Sequence, residues 1–88
     1  MLTPANITRY TVVHAPRVAI RAGPSITEQI IGAAHEGSVI DSCGQEGNWL
    51  RLTAACWIRL TGRQVRGAAW IMIDGAEVGL GPLLSRTS

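Results

Sequence analysis

The sequence predicts an all-β fold, a small and mostly antiparallel β-barrel with a short C-terminal extension, and three observations carry that expectation. Apolar and polar residues alternate with a period of two through most of the chain, and no segment sustains the spacing of an amphipathic helix over three turns. Gly, Pro and Asn punctuate the alternation at short intervals, as turns between strands require. Of the 88 residues 47% are hydrophobic and 16% charged, which suits one module with a core and leaves too little charge for a solvated tail.

Residues 1–9 are a lead-in, residues 10–73 the barrel and residues 74–88 the extension. Tyr10-Thr11-Val12-Val13 makes a first strand that ends at His14-Ala15-Pro16, because Pro cannot donate to a central ladder. In the second strand, residues 17–22, Val18, Ile20 and Ala22 share one face while Arg17, Ala19 and Arg21 share the other. Gly23-Pro24-Ser25 turns the chain, with Gly23 expected at positive φ. Residues 25–29 form a loop or a single helical turn before a strand over residues 30–34.

A polar link, residues 35–38, leads into Val39-Ile40-Asp41-Ser42-Cys43, and Gly44-Gln45-Glu46-Gly47-Asn48 has the composition of a hairpin connection. Trp49-Leu50-Arg51-Leu52 returns as a strand with Trp49 and Arg51 on its outward face. Trp57-Ile58-Arg59-Leu60-Thr61 nearly copies Trp49-Leu50-Arg51-Leu52-Thr53, and the copy predicts a second strand of the same design. Residues 62–67 are a further turn, residues 68–73 a strand, Asp74-Gly75 a strong turn pair and residues 78–84 a punctuated last strand. The expected core is Val18, Ile20, Ile31, Ile40, Leu50, Leu52, Ile58, Leu60, Ile71 and Ile73, with minimal helix.

The formal charge is +2 and every basic residue is Arg. So small an excess, without Lys, argues against nucleic acid as the main partner. No apolar run is long enough for a transmembrane helix, so no direct membrane insertion is expected. Met1-Leu2-Thr3-Pro4-Ala5-Asn6 has neither the basic opening nor the apolar run of a secretory signal, which favours an intracellular setting. Cys43 and Cys56 are the only thiols, and without such a signal they stay reduced more often than they bridge. With His14 and His35 they show no zinc-ligand spacing, and no activated nucleophile or phosphate loop stands out, so neither metal, cofactor nor catalysis is expected.

Val18-Ala19-Ile20-Arg21-Ala22-Gly23-Pro24-Ser25 resembles the first signature of bacterial-type SH3 domains, usually written leucine-asparagine-valine-arginine-serine-glycine-proline-serine. Ile30-Ile31-Gly32, Glu36-Gly37 and Gly47-Asn48-Trp49-Leu50-Arg51-Leu52 resemble later pieces in the family's order, so the likeness runs from Tyr10 to Ile73. Ala19 stands where the family has Asn, and the closing glycine-tryptophan pair has two imperfect counterparts, Cys56-Trp57 and Ala69-Trp70. The tail is similar to that of extended versions in algal proteins. The resemblance implies an SH3-like barrel, in the cytoplasm or a plastid; cell-wall binding is not carried over, because such barrels serve many roles.

The residues that stand out are Trp49, Arg51, Trp57 and Arg59 on the outward faces of the repeated strands, with Trp70 and Arg21 nearby. Trp and Arg are enriched at binding hot spots because each covers much area and keeps a polar handle. The competing reading is that one or two of these Trp plug the barrel ends. A non-catalytic module follows, one that docks a protein or peptide partner or serves as a small structural subunit of a larger assembly. The alternative is a small barrel for single-stranded nucleic acid.

Overall fold

A row of apolar side chains sets the architecture: Ile20, Ile71 and Leu50 lie opposite one another on three neighbouring strands and are all but fully buried. The computed structural model describes residues 7–64 and 67–87. Among them are seven strands: β1 (Thr8–Val12), β2 (Arg17–Arg21), β3 (Ile30–His35), β4 (Val39–Glu46), β5 (Trp49–Leu52), β6 (Trp70–Met72) and β7 (Leu84–Arg86). They form one sheet in the order β3-β2-β6-β5-β4-β1-β7, antiparallel at each pairing. The all-β antiparallel expectation holds. The sheet is not closed, however, because β3 and β7 remain its two edges and do not pair with each other.

The period-two reading locates the buried face well. Val18, Ile20, Ile40, Leu50, Leu52 and Ile71 are buried as expected, and Ile31, Leu60 and Ile73 pack partly buried against them. Tyr10 and Val12 from β1, together with Leu83 and Leu84, join the core. The extension is thus part of the fold, since β7 pairs with β1 through Tyr10↔Arg86 and Val12↔Leu84. β4 runs three residues further than its apolar stretch suggests, through Glu46, with a register shift between Ser42 and Gly44. The connection to β5 is accordingly tight, and Gly47 turns it at φ 55°, where a side chain would be strained.

The second WIRLT strand is the main correction. Ala54–Thr61 is a helix, α1. Thr53 caps its start, its Oγ1 accepting from the Cys56 N–H at 3.0 Å, and Gly62 ends it in the left-handed conformation, donating its N–H to the Ile58 carbonyl at 2.7 Å. Helical geometry turns Cys56, Trp57 and Leu60 inward and Ile58 and Arg59 outward, which removes Ile58 from the expected core: it is exposed. Gly32 of β3 lets the helix approach, for a Cβ there would stand 3.0 Å from the Trp57 ring. Arg63 finishes the seal, its guanidinium lying 5.7 Å from the Trp57 ring centroid and Nη2 donating to the Ile31 carbonyl at 2.9 Å. Of the turn expected over residues 62–67, Val65 and Arg66 lie outside the described residues, as do residues 1–6 with the reading of their leader.

Gly23 corrects a second expectation, because its φ is not positive. The position is crowded instead: a Cβ would meet Cγ and Cδ of Glu28 at 2.7 Å, and that exposed side chain can swing aside.

Charge also holds α1 in place. The Asp41 carboxylate of β4 accepts from Arg9 Nε at 2.9 Å and from Arg59 Nη1 at 3.4 Å, and Arg59 also donates to the Val39 carbonyl. The Arg9 hydrogen bond holds the Asp41 carboxyl below the usual carboxylate range, outweighing the opposing effect of burial, with Arg59 adding to it.

Two outcomes follow. Gly32→Ala forces the rigid Trp57 ring to move, so we expect a loss of about 1 to 3 kcal/mol in denaturant unfolding; an unchanged midpoint would refute the close packing. Because the folded-state pKa of Asp41 is depressed, its contribution is whole above the unfolded value of about 4 and is lost as pH falls through the lower folded value. Asp41→Asn should therefore cost about 1 kcal/mol at pH 7, small because both Arg partners are half or more exposed, and the gap to the parent should narrow in acid.

Candidate functional site

Burial of the Ile20–Ile71–Leu50 row directs the flanking residues of the same strands to the opposite face. There Arg21 of β2 lies across from Trp70 of β6, which lies across from Arg51 of β5. Directly paired residues project on one side of a sheet, so a half-buried indole sits between two Arg in one row. Trp49 is two residues before Arg51 on β5 and opposite Met72, so it shares this face. The structure thus brings Arg21, Trp49, Arg51 and Trp70 together.

The other two expected residues are elsewhere. Trp57 is 3% exposed inside the core on α1, with its indole N–H lacking a hydrogen-bond partner, so it belongs to the packing and not to an outward face. Arg59 is exposed but engaged with Asp41 and the Val39 carbonyl, and its Nη2 lies 3.6 Å from Cys56 Sγ. It ties α1 to β4.

Beside Trp49 opens a cleft of about 350 Å³. Val18, Met72 and Leu83 supply its buried apolar surface, Ile26, Val78 and Leu80 contribute exposed apolar side chains, and Ala19 with the basic His14, Arg17 and Arg21 completes the lining. Two local structures position these walls. The loop bearing Ile26 is closed by Ala22 N–H to the Gln29 carbonyl at 2.9 Å and by Arg21 Nη1 to the Glu28 carbonyl at 2.9 Å. The segment bearing Val78 and Leu80 includes a short 3-10 turn, Ala76–Val78, and is drawn into a loop by Gly75 N–H to the Gly81 carbonyl at 2.7 Å and Leu80 N–H to the Gly75 carbonyl at 2.9 Å. Asn48 fixes the base of that loop, because its side chain donates to the Asp74 carbonyl and accepts from the Asp74 N–H.

Strand alternation finds Trp49, Arg51 and Arg21 but misses the cleft. His14, Ile26, Met72, Val78 and Leu80 reach it from segments far apart in sequence, and the apolar tail, expected as a last strand over residues 78–84, is a 3-10 turn and a loop leading to β7.

The thiols do not meet. Cys43 is exposed on β4 and Cys56 is fully buried, accepting from the Asp41 N–H at 3.4 Å, and both are free. Burial pushes the Cys56 thiol up, against the smaller opposing effects of the Asp41 backbone hydrogen bond and the Arg59 charge, so it is a poor nucleophile. Among the described residues no cluster of three or more His, Cys, Asp or Glu could hold a metal ion, and no helix is long and apolar enough to cross a membrane. A thiol-labelling assay should modify one Cys per folded chain and two in denaturant; rapid double labelling of the folded chain would contradict the burial of Cys56.

Compared with protein-family models, curated proteins and solved structures, the chain matches none, and its likeness to bacterial-type SH3 domains is a resemblance carried by the residues quoted above.

Proposed function

We propose that the chain is a non-catalytic, SH3-like interaction module that docks an extended protein or peptide segment against Trp49 and the adjoining cleft. The observation that carries this reading is the gathering of exposed apolar side chains around Trp49. Ile26, Val78 and Leu80 are 54%, 45% and 51% exposed, and all three line the cleft. Apolar side chains that water contacts in one recess favour an occupant that removes them from water, at roughly 25 cal/mol per Å² of apolar surface covered. Trp49 offers a flat, half-buried wall on which Pro or aliphatic groups stack. Arg21, at the end of the Arg21–Trp70–Arg51 row, borders the cleft and extends the contact surface with polar groups. Retained permanently, the same contact makes the chain a structural subunit of a larger assembly; released and rebound, it makes a transient module.

The second reading is single-stranded nucleic acid, and the Arg21–Trp70–Arg51 row favours it as an aromatic platform flanked by cations. The net charge of +2 makes it the weaker one.

Trp49→Ala separates these roles from simple packing. Retention of partners from source extract on the immobilised chain should weaken by about 2 kcal/mol or more, with far-UV circular dichroism showing the strand content kept. Unchanged retention by the folded variant would reject the docking site. A labelled RNA oligonucleotide that binds tightly at low salt and dissociates steeply as salt rises would favour the second reading instead.

A further inference from the structure

We infer, resting on the docking reading above, that the cleft selects an acidic ligand: an extended peptide in which Asp or Glu stands beside an aliphatic residue or Pro. The titratable groups of the lining are His14, Arg17 and Arg21, all basic, with no carboxylate among them. Three other Arg are committed to contacts within the fold. Arg9 and Arg59 are engaged with Asp41, and Arg63 with the Ile31 carbonyl and the Trp57 ring. Arg21 spends one nitrogen on the Glu28 carbonyl, at 2.9 Å. Arg17 is exposed, and among the described residues its side chain makes no hydrogen bond or ion pair.

The spacing on β2 suits an extended occupant. Arg17, Ala19 and Arg21 alternate onto one face, so the two guanidinium stems start about 13 Å apart, at roughly 3.3 Å per residue, with the small Ala19 between them. A peptide strand laid along that face has room over Ala19 while its aliphatic side chains reach Trp49 and Leu80. A carboxylate at its end near Arg17 forms a charge-assisted, bidentate contact, which a guanidinium in the open lip of an apolar recess is suited to make. An acidic ligand is the charge complement of this lining, whereas a basic ligand would meet like charges with no carboxylate to answer them.

The test is selection from a phage-displayed library of random nonapeptides on the immobilised full chain, followed by affinity measurement on one selected peptide and its Glu→Gln form. The expected pool is enriched in Asp or Glu adjoining Leu, Ile, Val or Pro. Arg17→Gln should weaken the selected peptide about tenfold, more at low salt than at high, and this variant removes no internal contact that would threaten folding. The Glu→Gln peptide should lose a similar factor on the parent protein and almost none on Arg17→Gln, which identifies the pair as interacting. A pool without acidic bias whose binding still depends on Trp49, or losses that simply add, overturns the acidic preference and leaves the docking reading standing. A library that yields no enriched pool overturns the docking reading and this inference with it.

Discussion

The burial of Ile20, Ile71 and Leu50 in one row across β2, β6 and β5 is the constraint on which the other face of the sheet depends. A strand offers only two faces, and a slip of one residue exchanges them. Once these three side chains are withdrawn from water, Arg21, Trp70 and Arg51 have no choice but to project outward, and Trp49 goes with them. Neither the row of cations around an indole nor the Trp49 wall requires interactions of its own to be aimed there. The core aims them, so surface chemistry can vary at little cost to the fold.

The same logic explains which parts of the molecule were legible from sequence. Period two is a local property, and the strand faces of residues 17–21 and 49–52 read directly off neighbouring residues. The helix was hidden by its shortness. Two turns cannot sustain a helical period, and the likeness of Trp57-Ile58-Arg59-Leu60-Thr61 to a neighbouring strand pointed the wrong way. Its true signals were the ends: Thr53 before Ala54-Ala55, and Gly62 after Thr61, a cap at either side of a short run that opens on two Ala. Trp57 shows why nearly identical tetrapeptides diverge, since Gly32 leaves room for the indole that α1 carries against β3. The cleft was illegible for a different reason. Its walls come from β2 and the turns on either side of it, the start of β5, the end of β6 and the tail, and no periodicity connects them.

The Arg residues that tie the fold together differ from those of the outward face in their supply of partners. Asp41 satisfies two of the Arg residues, and backbone carbonyls satisfy others. Among the described residues the side chains of Arg17 and Arg51 on the outward face have no such partner. A modest net charge of +2 conceals that local excess, because none of the carboxylates is among the residues that line the cleft.

The pairing of β7 with β1 has a consequence for how the molecule assembles. β1 is held between β4, whose Ile40 pairs with Tyr10, and β7, whose Arg86 pairs with the same Tyr10 across nearly the whole sequence. Such distant contacts repay chain-closure entropy late, so β4 and β5, joined by residues 47–48 alone, are placed to form an early local hairpin and the β1–β7 edge to order among the last. The leaf of the sheet that shuts last begins just after Leu83, which lines the cleft, so the recess acquires its final wall only when the two distant ends of the described chain have met.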